Sequence, residues 1–293
     1  MRLTEEQLQA LSHSKIRFVA ANAGSGKTTT LIRVYLKELE GLLKGGGKSS
    51  LSSIVAITFT RNAAQEIRKR VQEELLQKKR MKEITPELVR HFLWNLPSAP
   101  IGTIHSFATD TIRRAPFLQT TSTSKLTVLD KPLFKYKNEF AIQELLNKMD
   151  FDRQKRLLLS RFTAQKIKEV LYHLRAKRGI SQRLLSSWVN SDDPVRQAYA
   201  QLYFELQQKD IGGFYYDDLI TEACNIVSDT KWAGDQQIKT VLVDEFQDTD
   251  QMQWEFIKQM ASKSDADLFI VGDEKQSIYY FRGADYTVIN KAK

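Results

Sequence analysis

The sequence predicts an α/β fold with a parallel sheet that is interrupted by a helical insertion. Apolar runs typical of buried parallel strands alternate with amphipathic helical patterns towards both ends of the chain. Between them, residues 114–210 carry helical patterns alone and an excess of basic side chains. We therefore expect one α/β domain built from residues 1–113 and 211–293, with an all-helical insertion subdomain over 114–210.

The N-terminal part of the chain contains three strand signals, and each is followed by a helical pattern. An apolar run at 16–20 predicts the first strand. The run 54–60 is nearly apolar throughout and predicts a second, buried strand, with a helix from Asn62. A short run at 101–104 predicts the third strand, which leads into a helix from His105.

Helical patterns fill the insertion, and strand signals return after it. Within the insertion we predict helices over 133–149, 164–176, 182–189 and 194–208. The glycine pair at 212–213 marks the expected exit. The segments predicted after it are a helix over 217–227, a strand at 240–243, a helix through Trp254 and a strand at 268–271.

The net charge of +9 is concentrated in the insertion. Residues 113–210 hold 19 Lys and Arg against 10 Asp and Glu, whereas the rest of the chain holds 25 of each. A basic block between neutral flanks indicates a nucleic-acid surface. The alternative is a solvated helical face with surplus lysines.

Cysteine content and hydropathy limit the classes of protein to which the chain can belong. The single cysteine, Cys224, excludes a disulfide framework and fits a reducing compartment. No apolar run reaches the roughly 18 residues of a membrane span, and the N-terminus lacks the apolar core of a signal peptide. We expect a cytoplasmic protein with no membrane partner.

A phosphate-binding loop follows the first strand. Gly24 and Gly26 allow backbone N–H groups to approach phosphate oxygens. Lys27 can contact the β- and γ-phosphates, and the hydroxyl of Thr28 can ligate Mg²⁺. Ala21 stands where the strict pattern has its first glycine. The predicted nucleotide contacts are Ala21, Asn22, Ala23, Gly24, Ser25, Gly26, Lys27, Thr28 and Thr29.

Two acidic residues, Asp244 and Glu245, follow the strand at 240–243. Ligands of open α/β sheets gather at this end of the strands, so Asp244 can hold Mg²⁺ opposite Thr28. Glu245 can then polarise the attacking water. Two acidic residues after a strand are common by chance, but together with the loop they predict ATP hydrolysis, with Lys27 and Glu245 as catalytic residues.

Five segments resemble motifs of superfamily 1 DNA helicases of the UvrD/Rep group, in that family's order. They are residues 4–7 (the Q motif), 57–64 (motif Ia), 102–107 (motif Ib), 243–251 (the Walker B motif) and 271–285 (motif III). The Glu274-Lys275-Gln276 form of motif III and the long spacer before motif Ib resemble the exonuclease V β-subunit/AddA branch. The resemblance implies a RecA-like ATPase domain and a DNA-binding insertion.

The resemblance also implies residue roles. Gln7 would contact the adenine, and Gln276 would contact the γ-phosphate as a catalytic residue. Thr29 stands where the family often has an arginine. The implied DNA contacts are Phe59, Thr60, His105, Tyr279, Phe281 and Arg282. Core packing is the alternative for Phe59 and Phe281.

The function implied by the resemblance is that of an ATP- and Mg²⁺-dependent 3′-to-5′ DNA helicase or translocase in repair or recombination. Its expected partners are single-stranded and duplex DNA and a helicase–nuclease subunit. A second RecA-like domain is expected outside residues 1–293, so this part alone should show little turnover. An ATP-gated DNA-binding module without translocation is the alternative function.

Overall fold

The computed structural model describes residues 15–20, 26–44, 51–115, 127–147, 153–209, 211–228 and 238–273. These residues form two compact units. One is drawn from Met1–Thr111 and Cys224–Lys293, and the other from Ile112–Ala223. The first unit contains a five-stranded, wholly parallel sheet with helices, so the predicted α/β fold class is confirmed.

The order of the strands in the sheet is β1-β5-β4-β2-β3. The strands are β1 (Ile16–Ala20), β2 (Ile54–Thr58), β3 (Ile101–Thr103), β4 (Thr240–Val243) and β5 (Asp267–Gly272). Every residue of β2 and β4 is buried, as expected of central strands covered on both faces. Because all strands run the same way, their carboxyl ends meet at one edge of the sheet.

Helices connect the strands of this unit. Their bounds are Lys27–Lys44, Arg61–Arg80, Pro86–Asn95, Ile104–Arg114 and Gln251–Lys263. The second of them begins one residue before the predicted start because the Thr60 hydroxyl accepts a hydrogen bond from the Ala63 N–H at 3.1 Å. The sequence patterns missed the third, which has a proline in its first turn and a Thr85 cap.

The core of the first unit lies between the sheet and two of these helices. Leu31, Tyr35 and Leu39 of the helix Lys27–Lys44 are buried there. Ile67, Val71 and Leu75 of the helix Arg61–Arg80 join them, together with Ile54, Leu242 and Phe269 of the strands. These residues recur every three or four positions, which places them on one face of each helix and aligns both helices against the sheet.

The described part of the second unit is helical apart from one isolated bridge between Val128 and Phe214. The helices that begin in it are Lys131–Asn147, Arg153–Arg161, Ala164–Ala176, Arg178–Trp188, Pro194–Gln207 and Tyr216–Ser228. The sequence patterns missed Arg153–Arg161. No helix in the described ranges combines the length and apolar character needed to cross a membrane.

The second unit extends beyond residue 210, the boundary expected from the sequence. Phe214 exchanges backbone hydrogen bonds with residues 127 and 129, and the ring of Tyr215 stacks on that of Phe134 at 4.1 Å. A Cβ at Gly213 would lie 2.8 Å from the carbonyl oxygen of Thr127. The glycine pair therefore permits a close backbone approach inside this unit instead of marking an exit from it.

Candidate nucleotide site

The helix Lys27–Lys44 begins at the carboxyl edge of the sheet, in the place predicted for the phosphate-binding helix. Gly26, just before it, has a φ of 81° and therefore occupies the left-handed region that favours glycine. Thr30 donates both its N–H and its hydroxyl to the Gly26 carbonyl, at 2.9 and 3.2 Å. These bonds fix the first turn, whose N–H groups carry partial positive charge. Residues 21–25 lie outside the described residues.

The Lys27 ammonium lies between two carboxylates. Its Nζ is 3.3 Å from Oε2 of Glu245 and 3.9 Å from Oδ2 of Asp273, and the side chains of Lys27 and Asp273 are 8 % and 3 % exposed. The strand order explains this arrangement, since β5 lies between β1 and β4. Asp273 directly follows β5, so its side chain lies near Lys27, at the end of the strand between β1 and β4. Phosphate oxygens would compete with both carboxylates for this cation.

Thr28 and Asp244, the two predicted metal ligands, lie in contact. The Thr28 hydroxyl donates to Oδ2 of Asp244 at 3.4 Å, and the N–H of Glu245 donates to Oδ1 at 3.0 Å. Asp244 is 4 % exposed. Burial, and then the charge of Glu245, raise the pKa of Asp244 to about 6. Two oxygens in contact suit Mg²⁺, which takes few protein ligands and completes its shell with phosphate and water.

Glu245 turns the chain at the end of β4. Its φ of 52° and ψ of 45° place a non-glycine residue in the left-handed region, a conformation that clusters at functional sites. Oε2 of Glu245 accepts a hydrogen bond from Nε2 of Gln247 at 2.6 Å. Oε1 of Gln247 in turn accepts one from the N–H of Asp273 at 2.9 Å.

Sequence reasoning gave no role to Gln247 or Asp273, although both lie in segments that resemble motifs. Asp273 carried a usable signal, because it follows an apolar strand as Asp244 does. Gln247 carried none, since nothing in the local pattern shows which way its amide points.

A second basic side chain lies beside the helix Lys27–Lys44. Nη1 of Arg70, on the helix Arg61–Arg80, donates to the Thr29 hydroxyl at 3.3 Å, and Arg70 also pairs with Glu66. Thr29 is the position at which the resembled family often has an arginine. Sequence spacing could not show that an arginine of another helix lies there.

Two of the predicted DNA contacts, Phe59 and His105, lie at the same sheet edge, whereas the hydroxyl of a third, Thr60, caps the helix Arg61–Arg80. A cavity of about 240 Å³ is lined by Phe59, His105, Asp244 and Glu245, among others. Phe59 is 38 % exposed. Burial lowers the pKa of His105, which favours the neutral imidazole at pH 7. The predicted contacts Gln7, Gln276, Tyr279, Phe281 and Arg282 lie outside the described residues.

The second unit presents an exposed aromatic face that the sequence patterns did not single out. Tyr136 and Phe140, four residues apart on the helix Lys131–Asn147, are 70 % and 68 % exposed, and Leu133 extends the row. Lys131 and Lys135 belong to the same helix but, at 3.6 residues per turn, lie on a different side of it from this row. Exposed rings on a basic subdomain are typical of surfaces on which nucleic-acid bases stack.

A helix that begins at the carboxyl edge of a parallel sheet, with a lysine in its first turn and two strand-end carboxylates beside it, is the arrangement typical of P-loop NTPases. The chain belongs to the family described as the UvrD/REP helicase N-terminal domain, whose model matches residues 3–293. The resemblance drawn from the five motifs is thereby confirmed at the level of the family.

Similar proteins carry helicase names. The chain is 29 % identical over 314 residues to a probable DNA helicase II homolog of Mycoplasma genitalium. It is 28 % identical over 296 residues to the ATP-dependent DNA helicase UvrD1 of Mycobacterium bovis. These alignments cover 99 % and 96 % of the chain but 38 % and 34 % of the relatives. The chain thus spans about a third of the length of these relatives.

A relative with another name is similar at nearly the same level. The RecBCD enzyme subunit RecB of Mycolicibacterium smegmatis is 26 % identical over 307 residues, covering 93 % of the chain and 26 % of that protein. Because UvrD1 and RecB differ so little in identity to the chain, the assignment to the exonuclease V β-subunit/AddA branch stays a prediction.

Proposed function

We propose that this chain is the ATP-binding part of a DNA helicase or translocase that moves 3′ to 5′ in DNA repair or recombination. The observation that carries the proposal is the convergence of Lys27, Thr28, Asp244 and Glu245 at one edge of the sheet. The polarity and the pathway come from the family resemblance. An association with a helicase–nuclease subunit and a cytoplasmic location are part of the same proposal.

In this proposal the residues of the site divide the work of hydrolysis. Lys27 exchanges its carboxylate partners for the β- and γ-phosphates of ATP. Thr28 and Asp244 would hold Mg²⁺, which when bound neutralises charge on the phosphates. Glu245 orients the attacking water with its carboxylate, and Gly26 keeps the loop close to the phosphates.

DNA would be contacted by both units. Phe59 and His105 offer an aromatic ring and a neutral imidazole at the cavity that also touches Glu245. Tyr136 and Phe140 offer rings on the basic insertion, whose lysines and arginines supply the phosphate contacts. The names of the relatives support DNA as the ligand.

The test is the substitution Glu245→Gln in the full-length protein. ATP affinity should stay within about threefold, whereas DNA-stimulated ATP hydrolysis should fall by about 10²–10⁴-fold because the water loses its base. Glu255→Gln is the control, since Glu255 pairs with Lys258 on the helix Gln251–Lys263. Normal hydrolysis by Glu245→Gln would refute the assignment.

A strand-displacement assay separates the motor from an ATP-gated DNA-binding module. The proposed function requires that wild-type protein with ATP displace one strand from a duplex that carries a 3′ single-stranded tail. DNA-stimulated hydrolysis without displacement, and without movement on single strands, would favour the module.

A further inference from the structure

We propose that Gln247 is a positioning residue for ATP hydrolysis, which holds the carboxylate of Glu245 and ties it to the end of β5. The proposal rests on the proposed function, in which Glu245 orients the attacking water. Gln247 itself touches neither of the other predicted hydrolytic residues, Lys27 and Asp244, in the described hydrogen bonds.

The side-chain amide of Gln247 bridges two groups that need opposite partners. Oε2 of Glu245 can only accept a hydrogen bond, and the N–H of Asp273 can only donate one. Gln247 donates to the first at 2.6 Å and accepts from the second at 2.9 Å. The orientation of the amide follows from these two partners, since the reverse orientation would face donor with donor and acceptor with acceptor.

Burial makes this bridge restrictive. Gln247 is 4 % exposed and Asp273 3 %, so water cannot readily replace the bond between them, whereas the Glu245 side chain is 36 % exposed. Gly272 allows the approach, because a Cβ there would lie 3.3 Å from Oε1 of Gln247 and 3.3 Å from Cβ of Phe246. The end of β5 is therefore packed against the residues that follow Glu245.

Nucleotide binding increases the dependence of Glu245 on Gln247. In the structure Oε2 of Glu245 is near two donors, Nζ of Lys27 at 3.3 Å and Nε2 of Gln247 at 2.6 Å. When Lys27 turns to the phosphates, Gln247 is the donor that remains among the described residues. Asp273 also loses Lys27, which stands 3.9 Å from its Oδ2, and its N–H stays bonded to Gln247.

The bridge links hydrolysis to the segment after β5. Asp273 directly precedes the part of the chain that contains Gln276, the predicted γ-phosphate contact. A displacement at the end of β5 would move the Gln247 amide and with it the Glu245 carboxylate. An error of about 1 Å in the position of a catalytic group can lower a rate by about a hundredfold.

The experiment compares two variants that break different halves of the bridge, in the full-length protein. Gln247→Leu removes both hydrogen bonds, whereas Gln247→Glu, when ionised, keeps an acceptor for the Asp273 N–H and faces Glu245 with a like charge instead of a donor. Both should lower the kcat of DNA-stimulated ATP hydrolysis by about ten- to a hundredfold. The Kd for a fluorescent ATP analogue should change by less than about threefold, because Lys27 and the loop are intact.

A structural measurement accompanies the kinetics. Hydrogen exchange of the Asp273 amide should accelerate in Gln247→Leu and stay near the wild-type rate in Gln247→Glu, since only the first variant removes its acceptor. Gln259→Leu is the matched control. That amide also bridges two side chains, Glu255 at 3.0 Å and Ser228 at 2.9 Å, in the first unit.

The possible outcomes separate this proposal from the one on which it rests. A wild-type kcat in both Gln247 variants, with Glu245→Gln inactive, would overturn the positioning role and leave the proposed function standing. An equal loss of kcat in Gln259→Leu would also overturn it, because the effect would then be one of general stability. Full hydrolysis by Glu245→Gln would instead reject the function.

Discussion

The charge of Asp244 should destabilise the folded protein when neither nucleotide nor divalent cation is bound. The change that tests this is Asp244→Asn. The asparagine can keep both local hydrogen bonds, because its oxygen can accept from the Glu245 N–H and its NH₂ can donate to the Thr28 hydroxyl. The substitution therefore removes the buried charge with little change in shape.

The size of the effect follows from the pKa of Asp244. Folding raises this pKa from 3.8 to about 6, and one pKa unit corresponds to about 1.4 kcal/mol. The ionised carboxylate thus lowers the free energy of unfolding by at most about 3 kcal/mol. Since the folded-state pKa is the higher one, the cost is absent below pH 3.8, grows between pH 3.8 and 6, and is complete above pH 6.

The assay is thermal unfolding of wild type and Asp244→Asn in EDTA at pH 8 and pH 5. The variant should melt several degrees higher at pH 8, with about half of the stability difference remaining at pH 5. Its stabilisation by Mg²⁺ and a nucleotide should be smaller than that of wild type, because a proposed metal ligand is lost. Asp192→Asn, which changes an exposed carboxylate, is the control. A variant that is less stable than wild type at pH 8, or a difference independent of pH, would refute the reasoning.

Three further predictions concern other parts of the chain. Replacing both Tyr136 and Phe140 by alanine should weaken single-stranded DNA binding at least tenfold in fluorescence anisotropy, because stacking is worth about 1–3 kcal/mol per base. The salt dependence of the binding should not change. Wild-type affinity in this variant would contradict the proposed surface. Thr60→Ala should lower the free energy of unfolding by about 1 kcal/mol, because the variant loses the helix cap, whereas Thr60→Ser should retain the cap. Equal stabilities of the two variants in urea unfolding would rule out the cap. Gly213→Ala should destabilise the protein by about 1–3 kcal/mol, because the added Cβ would meet the backbone oxygen of Thr127. Gly41→Ala should instead stabilise it by about 0.5–1 kcal/mol, because nothing lies within 4 Å of the added Cβ. A change of the same sign for both variants in thermal unfolding would contradict this contrast.

Local patterns were sufficient for most elements of this protein. The strand at 240–243 and the helix Ala164–Ala176 have the predicted bounds, because apolar runs and helical periodicity are properties of neighbouring residues. The two missed helices, Pro86–Asn95 and Arg153–Arg161, are short. A short helix gives few periodic positions, and its stability depends on packing that the local sequence does not show.

The sequence by itself determined the chemistry available at the nucleotide site. A glycine loop before a helix and two acidic residues after a strand are local features, so Lys27, Thr28, Asp244 and Glu245 could be named before their positions were known. The family followed from the same kind of evidence, since its motifs are short segments in a set order.

Only the tertiary structure decided how these groups meet. In the order β1-β5-β4, the strand β5, which comes last among the described residues, lies between the two other strands. Of these, β1 precedes the glycine loop and β4 precedes Asp244 and Glu245. That order sets Asp273 beside Lys27 and its N–H on Gln247, and packing of the helix Arg61–Arg80 brings Arg70 to Thr29. Strand order and helix packing are contacts between residues far apart in the chain, so no local pattern could have specified these partners.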